Sequence, residues 1–319
     1  MLATLDDQTL AFRDDVLAGL SAPIPAIPAR WLYDHRGSEL FDDITRLSTY
    51  YPTRTETKLL ADIISDVAAR VPPGSVVIEF GAGSATKTPL LLEAIRPAAY
   101  VPVDISGDYL EQSAAELQQR FPGLEVIPVV ADFARPFGLP GGIEHLSRLG
   151  FFPGSTIGNF VPWSATDLLR QFRTLLGQGA QLLIGMDRVK PVERLIAAYD
   201  DPEGVTAQFT LNLLTRINRE LDGDIPVDAF RHEARWNDIL SRIEIHLVAT
   251  RDVAFTISGR RFAFSADSSI HAENSHKYGP RRARLMLLAG GWTPVAEWND
   301  AAGDFSIILA EAQPERFAP

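Results

Sequence analysis

The chain has 319 residues, 46% of them hydrophobic and 22% charged, with a formal net charge of −11. That length suits one large α/β domain or two modest ones, and the interspersed acidic excess argues against a nucleic-acid or anionic-membrane surface, both of which need a basic face. There is no cysteine, so neither a disulfide framework nor a thiolate metal site can form. The N-terminal MLATLDDQTLAFRDDVLAGL lacks a charged-then-apolar signal pattern. No apolar run approaches the roughly 18 residues of a membrane span, so a cytoplasmic location is expected. Residues 7–20 read as a helix, after which three prolines in SAPIPAIPARWLYD interrupt regular structure. Helices are expected at 37–47 and 53–70, separated by TYYPT, where Pro52 imposes an extended entry.

At residue 76 the pattern changes. SVVIEF is a short β-branched run ending in Gly81-Ala82-Gly83, followed by the helix TKTPLLLEAI. AAYVPVDIS is a second strand, DYLEQSAAELQQRF a helix, LEVIPVVADF a third strand, STIGNF a fourth and AQLLIGMD a fifth, with 134–150 mostly loop. Apolar strands alternating with helices at this spacing indicate a parallel sheet covered on both faces. Residues 191–222 are helical, and ILSRIEIHLVATRDVAFTISGRRFAFSA then alternates with period two, an antiparallel meander. RRARLMLLAGG and DFSIILAE return to the first sheet as helix and strand. The expected organisation is α/β. It has an N-terminal helical part (1–70), a Rossmann-like, mostly parallel-sheet domain (71–190), an inserted α+β region (191–279) and a C-terminal return (280–319), with the first and third parts belonging together.

The glycine turn follows a strand and opens a helix, which aims its amides at the carboxyl edge of the sheet. A dinucleotide fingerprint requires a third glycine at position 86, where Thr86 stands. Glu79 ends the first strand, Asp104 ends the second, and Asp132-Phe133 ends the third. Asp104 is suited to accept from both hydroxyls of a ribose, Asp132 to accept from an adenine amine, and Phe133 to pack on the base. A ribose-binding acid also fits NAD, but the third acid is foreign to that fingerprint. The set fits S-adenosylmethionine, which has no pyrophosphate.

ENSHKY (273–278) combines a carboxylate, an amide, a hydroxyl, an imidazole, an ammonium and a phenol in six positions. It reads as a loop, either solvated or with Glu273 and Ser275 facing a polar ligand. His232 and His246 read as structural histidines, and His271 and His276 lack a carboxylate at metal spacing. Asp42-Asp43 reads as a solvated helix face. GxSxG and P-loop motifs are absent, which removes the corresponding hydrolase and kinase readings.

Along essentially its whole length the chain resembles the ergothioneine-pathway L-histidine Nα-methyltransferase family. The likeness is carried by PARWLYDHRGSELFDDITRLSTYYPTRTE, IEFGAGSATKT, YVPVDIS, ADF, GSTIGNF, LLIGMDRVK, LLTRINREL, FRHEARWN and ENSHKY. The resemblance implies a class I methyltransferase domain with an inserted substrate domain, S-adenosyl-L-methionine as cofactor, a small amino-acid substrate, no metal and a monomeric state. It places Tyr33 near the imidazole, Tyr50 and Tyr199 at the carboxylate, Asn159 at the amino and carboxylate groups, and Glu273 with Ser275 on the imidazole. Gly81, Gly83, Lys87, Asp104, Asp132 and Phe133 correspond to cofactor-binding positions. One departure stands out: Ile245 in RIEIHL occupies the place of a methionine beside the imidazole, and a stiff β-branched side chain reshapes that wall. The implied activity is Nα-trimethylation of L-histidine to hercynine. The alternatives are another amino acid, such as tryptophan or a histidine derivative, and a non-catalytic binder of cofactor or histidine.

Overall fold

The computed structural model describes residues 7–83 and 87–314, so Thr86 lies outside the described residues. Helices α1 (Asp7–Leu20) and α2 (His35–Arg46) open the chain. Next come α3 (Tyr51–Arg70), β1 (Val76–Phe80), α4 (Thr88–Ile95), β2 (Ala99–Asp104), α5 (Gly107–Arg120) and two short strands, β3 (Glu125–Val126) and β4 (Val129–Val130). β5 (Arg148–Phe152), α6 (Pro162–Leu176) and β6 (Gln181–Asp187) complete this stretch. Two helices follow, α7 (Val192–Tyr199) and α8 (Val205–Glu220). After them run β7 (Phe230–Asn237), β8 (Arg242–Ala249), β9 (Val253–Ile257), β10 (Arg260–Phe264) and β11 (Ser269–His276). The last elements are α9 (Pro280–Ala289), β12 (Trp292–Asn299) and β13 (Phe305–Ala312). Among the described residues, no helix is long and apolar enough to cross a membrane.

Clustering of the chain gives two compact units: residues up to Tyr50 with Pro191–Ser275, and Tyr51–Lys190 with the residues from His276 onward. The second unit is a mostly parallel sheet in the order β12-β13-β6-β5-β1-β2-β3, with β4 also on β2. β13 is antiparallel to both β6 and β12. β1 lies between β2 and β5, both parallel to it, so successive crossovers leave it in opposite directions. A crevice opens at the carboxyl end of a strand at such a reversal, and ligands of open α/β sheets bind there.

Both faces of this sheet are covered, which explains why its strands read as unbroken apolar runs rather than as alternation. One face packs Val76, Ile78, Phe80 and Ile184 against Leu168, Leu169 and Phe172 of α6 and Leu287 of α9. The other packs Val77, Leu149, Leu183 and Leu309 against Leu59, Leu60, Ile63 and Val67 of α3. That stripe on α3 puts the helix in the sheet unit, so the N-terminal part of the first unit ends at Tyr50 rather than at the expected residue 70.

Several expectations need correction. STIGNF is not a strand: Thr156–Asn159 forms a 3-10 turn, because Gly154 and Ser155 both adopt positive φ (79° and 58°), which an extended chain cannot. The fourth parallel strand is RLGFF, inside the stretch expected to be loop, where Gly150 hides its apolar character. Pro128 divides the third strand into β3 and β4. Pro52 imposes no extended entry; it lies in the first turn of α3, where its missing amide costs no helical bond.

In the first unit β8 lies between β11 and β7, so the expected meander divides. β7 and β8 pair residue for residue from Phe230↔Ala249 to Asn237↔Arg242, and FRHEARWN, not read as a strand, supplies β7. β9 and β10 form a separate hairpin around Ser258-Gly259, both at positive φ (48° and 76°) as a tight hairpin turn demands. Residues 273–276 of ENSHKY belong to β11 rather than to a loop, with Ile270 and Ala272 buried ahead of them.

Candidate active site

At the carboxyl end of β1, Gly81 and Gly83 take φ of 74° and 48°, conformations that L side chains rarely adopt. The amides of Gly81 and Ala82 donate to the Val103 carbonyl at 2.8 and 3.2 Å, folding the turn over β2. Asp104 accepts from Gly83 N (3.1 Å) and Ser106 N (2.9 Å), which fixes its carboxylate and leaves acceptor positions for a ligand. Burial pushes its carboxyl above the usual range, and those amides offset this only in part. Asp132, just after β4, accepts from Ala134 N at 3.0 Å with Arg135 Nε 3.5 Å away. Phe133 packs edge-on to Phe152 (5.6 Å between centroids), and a side chain at Gly81 would meet its ring at 3.5 Å. A side-chain-free turn, two strand-end carboxylates and an aromatic platform fit the amino-acid, ribose and adenine parts of S-adenosylmethionine.

One of the acids and the lysine picked out in sequence have structural partners. Glu79 is buried and accepts from Thr88 Oγ1 (2.7 Å) and Tyr100 OH (2.6 Å), which ties β1 to α4 and β2. Burial pushes its carboxyl up to about 7. Lys87, expected at the cofactor, forms an ion pair with the buried Glu56 of α3. Glu56 also accepts from Gly154 N at 2.8 Å and lies over Gly185, where a side chain would overlap it at 2.1 Å.

Asn159 closes the 3-10 turn that follows β5, half-buried and held from several sides. Glu56 takes the Gly154 amide, Ser155 Oγ accepts from Asp187 N (2.9 Å), and the Ile157 carbonyl accepts from Tyr278 OH (3.2 Å). Gly158 lies flat on the ENSHKY backbone: a Cβ there would come within 2.9 Å of the His276 carbonyl oxygen.

The first unit gathers the remaining expected substrate residues. Tyr33 OH donates to Glu273 Oε1 at 3.4 Å, and Tyr199 OH shares a 2.8 Å hydrogen bond with Ser275 Oγ. Tyr50 packs edge-on to Tyr199 (5.9 Å) and to Phe41 (6.2 Å). Tyr33 packs edge-on to Phe41 (5.7 Å) and Phe209 (5.4 Å). Tyr33 and Tyr199 thus meet Glu273 and Ser275 on β11, beside the rings of Phe41, Tyr50 and Phe209. Ile245 is buried on β8 opposite Ala234.

Local structure sets these side chains. Asp34 caps α2 by accepting from Gly37 N (2.7 Å) and also takes Asn212 Nδ2 (2.8 Å) and Arg219 Nη2 (2.6 Å) of α8, which fixes the backbone beside Tyr33. Burial alone would raise its pKa, but Arg219 and the Gly37 amide outweigh this and hold it low. His232 is structural, as its sequence context suggests, yet its Nε2–H donates to the Tyr199 carbonyl at 2.8 Å and so fixes a site residue. Phe41 and Phe209 escape a sequence reading because each sits in an ordinary helical pattern; only the i, i+4 series Phe209-Leu213-Ile217 marks an inward face. Asp187 escapes it too. This buried acid at the end of β6 accepts from Tyr51 OH (2.6 Å) and Lys277 Nζ (2.8 Å) and also binds Lys190 Nζ. Among the described residues, no group of His, Cys, Asp and Glu could hold a metal ion.

The chain is similar to known proteins over most of its length. The chain is 40% identical over 314 residues to the histidine N-alpha-methyltransferase of Mycobacterium tuberculosis (strain CDC 1551 / Oshkosh), covering 94% of this chain and 95% of that protein. It is 39% identical to the histidine N-alpha-methyltransferase of Mycolicibacterium smegmatis (strain ATCC 700084 / mc(2)155), covering 96% of each. Ergothioneine biosynthesis protein 1 of Neurospora crassa is 30% identical across 86% of this chain, which spans 32% of that longer protein. Residues 12–312 match the family described as histidine-specific methyltransferase, SAM-dependent. The chain belongs to this family of S-adenosylmethionine-dependent methyltransferases.

Proposed function

We propose that this enzyme methylates the α-amino group of L-histidine three times, giving hercynine, the first step toward ergothioneine. The observation that carries the reading is the pairing of Tyr33 with Glu273 and of Tyr199 with Ser275 on one strand, inside an aromatic enclosure. A neutral imidazole presents one donor and one acceptor, which a carboxylate and a hydroxyl complement. The relatives that share most of the chain are histidine N-alpha-methyltransferases by name.

S-adenosylmethionine, when bound, supplies an electrophilic methyl group. Glu273 accepts from one imidazole N–H and Ser275 bonds the other nitrogen. Tyr50 and Tyr199 hydroxyls donate to the substrate carboxylate. Asn159, with one acceptor and one donor, holds the amine by its oxygen while its nitrogen touches the carboxylate. Such alignment is the main catalytic demand, since in-line displacement requires the amine about 3 Å from the methyl carbon. Water takes the amine proton before each transfer. Aromatic walls suit a product that ends as a quaternary cation. The test is incubation of enzyme and S-adenosylmethionine with each of the twenty amino acids, read by mass spectrometry. Histidine should gain three methyl groups; gain on a different amino acid alone, or arrest at one methyl, overturns the corresponding part.

A further inference from the structure

The polypeptide passes between its two units three times, at Tyr50/Tyr51, Lys190/Pro191 and Ser275/His276. On the sheet-unit side of all three crossings a side chain lands on one buried group. Asp187 Oδ2 accepts from Tyr51 OH (2.6 Å) and Lys277 Nζ (2.8 Å), while Oδ1 takes Lys190 Nζ and the Arg188 amide (3.0 Å). Lys190 Nζ also donates to Tyr51 OH (2.7 Å) and the Arg188 carbonyl (2.8 Å), and stands 4.1 Å over the Tyr51 ring. The backbone of Asp187 is engaged as well: its amide donates to Ser155 Oγ (2.9 Å) and its carbonyl accepts from Tyr278 N (2.8 Å). Asp187 and Lys277 are fully buried and Lys190 is 8% exposed.

Taking two ammonium groups and a carboxylate out of water is expensive, and well-packed apolar residues often serve stability as well or better. A buried ion cluster contributes directionality, because charged hydrogen bonds fix their partners' positions. Here the partners adjoin the reacting residues. Tyr51 follows Tyr50, Lys277 follows Ser275 by two residues, Lys190 precedes the helix that ends at Tyr199, and Ser155 opens the turn that ends at Asn159.

We propose that Asp187 is a positioning residue for methyl transfer. Through Tyr51, Lys277 and Ser155 it fixes the chain next to Tyr50, Ser275 and Asn159, and through Lys190 the chain that enters the helix ending at Tyr199; the roles of these residues rest on the function proposed above. Asp187 is fully buried and acts through these neighbours.

The test compares wild type with Tyr51→Phe, Lys277→Met, Asp187→Asn and the double variant Asp187→Asn/Lys277→Met. Each is measured for kcat and KM on histidine, for S-adenosylmethionine affinity by calorimetry and for Tm. Tyr51→Phe loses a single neutral hydroxyl, so it keeps the test decisive if Asp187→Asn does not fold. Misplacement of reacting groups by about 1 Å costs on the order of 100-fold, so kcat should fall roughly 10- to 100-fold in Tyr51→Phe and Asp187→Asn. Cofactor affinity should stay within about threefold, since the glycine turn and Asp104 are untouched. The double variant, which also removes the buried cation that faced the lost charge, should regain Tm relative to Asp187→Asn without regaining kcat. Recovery of kcat along with Tm, or wild-type kcat in Tyr51→Phe, overturns the inference. A wild-type enzyme that does not methylate histidine counts against the substrate proposal instead, and the variants are then compared on whichever amino acid it accepts.

Discussion

Glu273 is half-buried and accepts from the Tyr33 hydroxyl at 3.4 Å, and in the function proposed above its carboxylate also takes an imidazole N–H. Losing a charged hydrogen-bond partner costs about 1.5–3 kcal/mol. Glu273→Ala should therefore weaken histidine roughly ten- to a hundredfold and shift preference toward apolar amino acids, because the carboxylate that penalises them is gone. Competition between histidine and tryptophan, with product ratios read by mass spectrometry, checks this; unchanged ratios would remove Glu273 from the substrate. Asp104 gives the matching prediction for the cofactor. Its carboxylate is preset by the Gly83 and Ser106 amides, and Asp104→Ala should reduce S-adenosylmethionine affinity by about 1–3 kcal/mol in calorimetry.

The decisive element is the short turn from Gly154 to Asn159. Its conformation is unfavourable locally, since Ser155 holds φ of 58°, and it persists because Glu56, Asp187 and Tyr278 bind it on separate sides. Gly158 has no room for a side chain, as a Cβ would reach within 2.9 Å of the His276 carbonyl oxygen. Gly158→Ala must move either the turn or the ENSHKY backbone by a few tenths of an ångström or more. The expected outcome is a fall in kcat of about 10- to 100-fold with cofactor affinity retained. A raised KM with unchanged kcat would mean that the turn holds only the ground state.

For the molecule as a whole, the buried Glu79 makes stability depend on pH in an unusual direction. Its carboxyl is pushed up to about 7 in the fold from an ordinary 4.5, so between those values the folded state keeps a proton that the unfolded chain releases. Stability from this group is fully present below about 4.5 and is lost as pH rises through about 7. Glu79→Gln cannot ionise, and its carbonyl still accepts from Thr88 and Tyr100. Urea midpoints at pH 5 and pH 8 should show the variant gaining on wild type at the higher pH; a difference that does not change between the two would remove the buried proton.

The sequence by itself determined what depends on short-range pattern. Apolar runs separated by helical stretches specified the parallel sheet, because strands covered on both faces are mostly apolar and their few polar residues need buried partners. The glycine pair and the strand-end Asp104 were readable because a turn needing positive φ and a carboxylate at a strand terminus leave local marks. ENSHKY was misleading as structure, since its polar letters hide a strand that pairs through its backbone. RLGFF and FRHEARWN were missed for the same reason: a glycine or a charged alternation carries little strand signal until a partner strand lies beside it. Only the tertiary structure decided which residues hold the site together. Asp187 gathers Tyr51 from 136 positions away, and Glu56 reaches Gly154 across 98. Nothing in a local window marks an acid as the common partner of two lysines and a tyrosine, because such a bond is made by the packing of the sheet and not by the chain around it.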